Sequence, residues 1–270
     1  GKQYVQFGDY ERFAMTKSFT QLMTETHGTA ATLGFVDASG FNAAAYVLRG
    51  NQKVSNAEGN VNPENPTTNP TTLLQNFGLN VGMANSTDRV AYKVSAGYLS
   101  NMADIDYISN VLGPNKPAGS FAQGGYTKAV GALTVDGKIS SGAFDANAHY
   151  VTALQEFHAS DLVFKNASNS AAKPSAWALE AGYSFKTMAH DSRVSLGYQR
   201  TKQAGGFAGP DKAGSLALPE SRWIGSYKVN VSKHADVGVE VYNDRDYGVN
   251  NGGTDKNVTV GVLRLGVKFS

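Results

Sequence analysis

The sequence predicts an all-β chain, a transmembrane up-and-down antiparallel β-barrel of about twelve strands, and three observations predict it. Apolar residues recur at every second position through most of the chain, short and long connections alternate between those segments, and the polar face is rich in Gly, Ser and Asn rather than Lys, Glu and Thr. Alternation with period two puts apolar side chains on one sheet face and polar ones on the other. The 270 residues are 41% hydrophobic and 17% charged, and their mean hydropathy of −0.30 is expected to average over two opposite surfaces instead of describing a compact core. Residues 1–270 are read as a single barrel domain.

In chain order, Gly1-Lys2-Gln3-Tyr4-Val5 already alternates like the inside of a strand. It has no initiator Met, charged n-region or apolar h-region, so the chain is expected to start partway into a longer protein, after a signal peptide and first strands. The connection from Asp9 to His27 is amphipathic, running Glu11-Arg12-Phe13-Ala14-Met15-Thr16-Lys17-Ser18-Phe19-Thr20-Gln21-Leu22-Met23. It either folds inward as a constriction or caps neighbouring loops from outside. Phe41 to Arg49 has no clear parity and is left without a face. Phe77, Leu79, Val81 and Met83 then alternate with Asn76, Gly78, Asn80 and Gly82, and Val90, Tyr92, Val94, Ala96 and Tyr98 alternate with Arg89, Lys93, Ser95 and Gly97. Trp177, Leu179, Ala181, Tyr183 and Phe185 share one face against Glu180, Gly182 and Ser184, and Val194, Leu196 and Tyr198 oppose Arg193, Ser195 and Gln199. Trp223, Tyr227, Val229 and Val231 oppose Arg222, Ser226, Lys228 and Asn230; Val237, Val239 and Val241 flank Glu240. Leu263, Leu265, Val267 and Phe269 close the chain opposite Arg264 and Lys268. Each segment is roughly 8–13 residues, near the length a tilted strand needs to cross a bilayer.

Short turns fall near Asp37 to Gly40, Asn85 to Asp88, Ser140 to Gly142, Met188 to Asp191 and Lys233 to Asp236. Long connections separate them: Asp9 to His27, Asn51 to Thr72, Ser100 to Gly124, Gln155 to Pro174, Ala204 to Glu220 and Tyr247 to Lys256. A bilayer-spanning barrel sorts its connections this way, short at the periplasmic end and long outside, whereas Greek-key crossings do not. Asn60 to Thr72, with Pro63, Pro66 and Pro70, is expected to be an irregular exposed loop. Tyr, Trp and Phe near segment ends suit aromatic girdles.

Composition excludes several classes. No Cys is present, which removes disulfides, thiolate metal sites and cysteine nucleophiles. Lys and Arg total 24 against 22 Asp and Glu, far from the clustered basic excess of a nucleic-acid binder. The longest apolar run, around Ala43 to Leu48, is too short for a membrane-spanning helix.

With Phe269 facing lipid, parity assigns a set of pore-lining candidates. They are Lys2, Arg89, Lys93, Lys128, Lys138, Arg193, Arg222, Lys228, Arg264 and Lys268, with Asp136, Asp145, Glu180, Glu240 and Asp244 on the negative side. Such charges bias which ions pass or solvate the channel and pair across strands. Asp145, Asn147 and His149 share a face, but a nucleophile must lie within reach of its base, and the next residue on that face is Val151. No catalytic residue, metal site or cofactor is implied. The acids of Asp104-Ile105-Asp106 and Asp244-Arg245-Asp246 are read as solvated loop groups ahead of a hard-cation site.

Several stretches resemble one family, the siderophore porins typified by the legiobactin-uptake outer-membrane protein (LbtU-type). They are Gly1-Lys2-Gln3-Tyr4-Val5-Gln6-Phe7-Gly8, with Gln6 where the family usually has Pro, Phe77-Gly78-Leu79-Asn80-Val81-Gly82, Gly97-Tyr98-Leu99-Ser100-Asn101-Met102-Ala103-Asp104, Ala172 to Tyr183, Leu218-Pro219-Glu220-Ser221-Arg222 and Asp244-Arg245-Asp246-Tyr247-Gly248-Val249. The resemblance implies a Gram-negative outer-membrane porin admitting a ferric siderophore, surrounded by outer-membrane lipid and lipopolysaccharide, inserted by the barrel-assembly machinery, with its C-terminus periplasmic. Its oligomeric state stays open. An anionic siderophore would meet a moderately basic lining. The other readings are a structural or adhesive barrel with an occluded lumen, and a soluble β protein.

Overall fold

The structure, a computed structural model, describes residues 7–9, 11–26, 29–48, 76–108, 129–158, 162–164, 171–205, 207–208 and 218–267. Thirteen strands lie among them. They are β1 (Ala30–Val36), β2 (Phe41–Leu48), β3 (Asn76–Ser86), β4 (Ala91–Leu99), β5 (Ala132–Ser141), β6 (Phe144–Ala153), β7 (Val163–Phe164), β8 (Ser175–Thr187), β9 (His190–Lys202), β10 (Phe207–Ala208), β11 (Ser221–Asn230), β12 (Ala235–Arg245) and β13 (Asn257–Val267). A four-residue helix α1 (Phe19–Leu22) precedes them.

Eleven strands form one sheet in sequence order, β1-β2-β3-β4-β5-β6-β8-β9-β11-β12-β13, every neighbouring pair antiparallel. Only β7 and β10 pair apart, in a short ribbon between two long connections. This is the up-and-down β-barrel topology that the alternating connections predict.

Register turns parity into faces, because directly opposed residues in an antiparallel pair share a face. Lys93 opposes Lys138, Lys138 opposes Asn147, Asn147 opposes Glu180, Glu180 opposes Gly197, and Ile224 connects Gly197 to Tyr242. One continuous face results from β4 to β12. The same logic places Phe41 to Leu48, whose parity is ambiguous in the sequence: Ala44 opposes Asn80 and Tyr46 opposes Gly78, so Asn42, Ala44, Tyr46 and Leu48 join that face. The other face carries Leu79, Val94, Leu179, Leu196, Trp223 and Val241, all about half exposed.

Aromatic residues on the outward face gather in two bands. At the long-connection end Trp177, Tyr198 and Trp223 stand 5.4 and 4.6 Å apart in succession, beside Phe77 and Tyr98. At the short-turn end Phe144, Tyr183, Phe185 and Tyr227 form a second chain of ring contacts, and Phe35 and Phe41 pair with each other at the same end of β1 and β2. Trp177 and Phe185 lie eight residues apart on β8, about 26 Å at the usual rise per residue, close to the apolar band height of an outer-membrane barrel.

Two turns show why the register holds. The β1–β2 turn is set by Asp37, whose Oδ1 accepts from Ser39 N at 2.8 Å, and by Gly40 at φ +89°, where a Cβ would come within 1.8 Å of Ala84 O. The β8–β9 hairpin turns through Met188 and Ala189, both at positive φ, a conformation that favours Asn and Gly.

The core departs from the sequence expectation. The averages do conceal a compact apolar cluster: Leu48, Leu99, Ala132, Val151, Ala153 and Ala176 at the long-connection ends of the strands pack with Phe19, Met23, Met102, Ile105, Ile108, Phe157, Leu162 and Leu218. It lies on the inward face, and most of its large members come from the connections. Asn60 to Thr72 falls outside the described residues.

Candidate functional site: the inner wall and the segment on it

The polarity of the sheet is inverted relative to a water-soluble barrel. Outward Leu179 and Leu196 are 50% and 59% exposed, while inward Glu180 and Glu240 are 7% and 1% exposed. A buried carboxylate is costly without compensating donors, so what meets these two decides what the wall is for.

Residues 11–19 supply the donors. Glu180 of β8 accepts from Phe13 N at 2.8 Å and Ala14 N at 2.9 Å. Glu240 of β12 accepts from Met15 N, from Thr16 N at 3.2 Å and from the Thr16 hydroxyl. Four consecutive backbone N–H groups are thus divided between two buried carboxylates, in charge-assisted bonds roughly twice as strong as neutral ones. Three residues on, Gln199 of β9 accepts from Phe19 N at 2.9 Å. Ser18 caps the helix that begins there, its hydroxyl accepting from Gln21 N at 3.1 Å, the expected role of Ser at an N-cap.

Side chains complete the attachment. Lys93 of β4 donates to Asp9 at 2.7 Å, Lys138 of β5 donates to Glu11, and Asn147 of β6 reaches Glu11 O at 3.4 Å. The Arg193 guanidinium lies 4.0 Å from the Phe13 ring centre, and Arg222 lies 4.7 Å from that of Phe19, the geometry of cation–π contacts. Opposite Met15 the wall has Gly238, where a Cβ would approach Met15 Sδ to 2.8 Å. The segment therefore crosses the inward face from β4 to β12. Its Asp9–Thr16 half reaches toward the short-turn end, and Phe19 and Met23 return it to the apolar cluster. The structure decides between the two readings of this connection in favour of inward folding.

The pKa of Asp9 is lowered. Burial opposes its charge, but the Lys93 ammonium, the Glu11 N–H and nearby His149 outweigh burial and hold its carboxyl below the ordinary range.

The sequence-predicted residues divide by what they touch. Lys93, Lys138, Glu180, Arg193, Arg222 and Glu240 contact the segment. Arg193 also donates to Asp145 at 2.6 Å, and Arg222 makes a two-pronged pair with Asp244 at 2.6 and 2.8 Å. Lys228 stands 3.5 Å from Asp236 near the short-turn end. Arg264 sits on the inward side of β13, opposite Gly238, and is exposed. Arg89 lies in the β3–β4 turn. Lys2, Lys128 and Lys268 fall outside the described residues. His149 Nδ1 is 2.9 Å from Asp136 Oδ1 while Asp145 pairs with Arg193, so Asp145, Asn147 and His149 engage separate partners. Two of the acids read as solvated loop groups are not: Asp104 is buried and accepts from Asn76 Nδ2 at 3.0 Å, and Asp244 lies in β12, held by Arg222, while Asp246 accepts from Thr254 N and Oγ1, each at 2.7 Å. Gln199 went unrecognised because it is uncharged, although its inward parity was visible.

No family model matches the chain. It is similar to a UPF0422 protein of Coxiella burnetii, 30% identical over 261 residues, covering 96% of this chain and 50% of that protein. UPF0422 proteins of two Legionella pneumophila strains, Lens and Paris, are 24% and 25% identical, each match covering 92% of this chain and 43% of the relative. The chain spans about half the length of the curated relatives it matches. Among solved structures it is similar to the outer membrane channel DcaP of Acinetobacter baumannii, with a TM-score of 0.52 and 12% identity over 97% of this chain and 69% of that one. OmpF of Salmonella typhi, solved in complex with daunomycin, gives 0.52 and 13% over 96% and 72%. At such identities the likeness is one of fold, that of outer-membrane porins.

Proposed function

We propose that the chain forms the wall of a porin-type channel in a bacterial outer membrane, passing small solutes passively along an inner face narrowed by residues 9–19. One observation carries the reading: large apolar side chains stand exposed between two aromatic bands on the outside, while ionisable residues are buried inside. In water the exposed belt would be an aggregation surface; in a bilayer it contacts lipid and lipopolysaccharide, and the barrel-assembly machinery would insert it. The C-terminal strand then ends at the short-turn, periplasmic side. The porin-like fold supports this reading and favours a channel over an enzyme. Full-length protein in planar bilayers should give stepwise conductance, and a silent membrane after verified insertion would overturn the reading.

The finer proposal, uptake of a ferric siderophore, is supported by the family resemblance of the sequence and by the inward cations Lys228 and Arg264, which the segment leaves uncovered. Its check is iron uptake by a deletion strain: restored uptake of one siderophore supports it, and unchanged uptake of every ferric siderophore offered removes it.

A second reading, a structural or adhesive barrel with an occluded lumen, has its own observation in the apolar cluster that fills the inward side at the long-connection end. Liposome swelling separates the two, since a channel admits small sugars quickly and an occluded barrel does not.

A further inference from the structure

The inner wall holds residues 9–19 through features that read a peptide main chain. Glu180, Glu240 and Gln199 accept five backbone N–H groups, and a bond to a backbone N–H does not depend on which side chain follows. Side-chain selectivity comes from four cations: Lys93 and Lys138 meet the acids Asp9 and Glu11, and Arg193 and Arg222 lie over the rings of Phe13 and Phe19. Gly238 leaves room for a long side chain at Met15. Acceptors, cations and groove all lie on strands of one eleven-stranded sheet.

We propose that this surface is a peptide-binding site occupied in cis by the chain's own segment, and that it takes in trans a peptide that bends as residues 13–16 do and carries acidic residues ahead of an aromatic one. The tethered segment acts as an internal competitor. A short tether presents its occupant at an effective concentration in the millimolar range, so an external peptide gains the site only when the segment is weakened or when it binds more tightly. This goes beyond the channel reading and does not need conduction.

The test uses a fluorescent peptide of residues 9–19, full-length protein in detergent and fluorescence anisotropy, which reads binding and no current. Phe13→Ala with Thr16→Pro should unlatch the segment, because Pro removes both the N–H and the hydroxyl offered to Glu240. Saturable binding to that variant is expected, at least roughly tenfold tighter than to the unaltered protein. Adding Glu180→Gln and Glu240→Gln on the wall should weaken it again by roughly tenfold or more, since bonds to charged acceptors are the stronger ones. A peptide with its acidic and aromatic positions exchanged should bind correspondingly less. Absence of saturable binding to the unlatched variant would overturn the proposal, as would binding that ignores the wall substitutions or the peptide order. Heat-dependent gel mobility reports barrel folding separately. A variant that fails that check is replaced by Phe13→Ala alone, for which the same comparison of wall substitutions applies.

Discussion

At the long-connection end, the inward positions of the strands are Leu48, Leu99, Ala132, Val151 and Ala153, fully or almost fully buried under Phe19, Met23, Ile105 and Phe157. A few residues further along the same strands the inward positions are Lys93, Lys138, Asp145 and Arg193, partly exposed and joined in ion pairs. One face of one sheet thus carries a protein-like core at one end and a charged surface at the other. The difference shows that the segment is held by two unlike forces. Hydrophobic burial anchors Phe19 and Met23 without regard to direction, while Glu180 and Glu240 fix residues 13–16 by directed bonds that lose their strength if either partner moves. The two ends should therefore fail separately.

The largest effect is expected at the polar end. Glu180→Ala with Glu240→Ala removes the acceptors of four backbone N–H groups. Buried donors left unpaired cost about 1–3 kcal/mol each, so docking of this half should weaken by about 4–6 kcal/mol even with some rescue by water. Trypsin should then cut after Arg12 and Lys17 faster than in the unaltered protein, while heat-dependent gel mobility should be the same in both. At the apolar end, Phe19→Ala should cost about 3 kcal/mol, the low end for a fully buried Phe. That loss would lower the melting temperature of the connection cluster, and if the ends are separable, Glu180 and Glu240 retain residues 13–16. Equal cleavage in both variants would mean that the ends act as one unit.

A smaller change lies outside both regions. Replacing Met188 and Ala189 with Asn and Gly suits the positive φ at both turn positions and should stabilise the hairpin by about 1 kcal/mol. It should leave cleavage at Arg12 and Lys17 unchanged, a control that global stability is not what trypsin reads.

The smallest effect concerns pH. The carboxyl of Asp9 is held below its ordinary value of 3.8, so the stability it contributes is fully present above that value and is lost as pH falls through the lowered one. On the acid side its share of docking should decline only below about pH 4. Asp9→Asn should remove that acid-side decline as read by trypsin-independent labelling of the segment.

Much of the wall was legible because its information is local. Parity alone put Lys93, Glu180, Arg193, Arg222 and Glu240 on one face, and register confirms that they share it. Phe41 to Leu48 was illegible because Ala43, Ala44 and Ala45 place the same small side chain on both faces. The attachment of the segment was invisible for a different reason. Its donors are main-chain N–H groups that every residue except Pro possesses, and its acceptors lie more than 160 positions away. Likewise Ile105, Ile108, Phe157, Leu162 and Leu218 lie in connections whose apolar stretches are too short to carry a period that would announce that they converge. The amphipathic run from Glu11 to Met23 was the available signal, and it left inside and outside equally open.

The central claim, that residues 11–19 lie on the inward face, is tested most directly by cross-linking in cells, since these 270 residues carry no Cys and any Cys elsewhere in the full-length protein can be replaced. Met15→Cys combined with Gly238→Cys in the full-length protein should bridge efficiently with a short bismaleimide. Met15→Cys combined with Val239→Cys, one position along β12 and on the opposite face, should not. Bridging to position 239 as readily as to 238, or to neither while an impermeant thiol reagent labels position 15 from outside, would contradict the account.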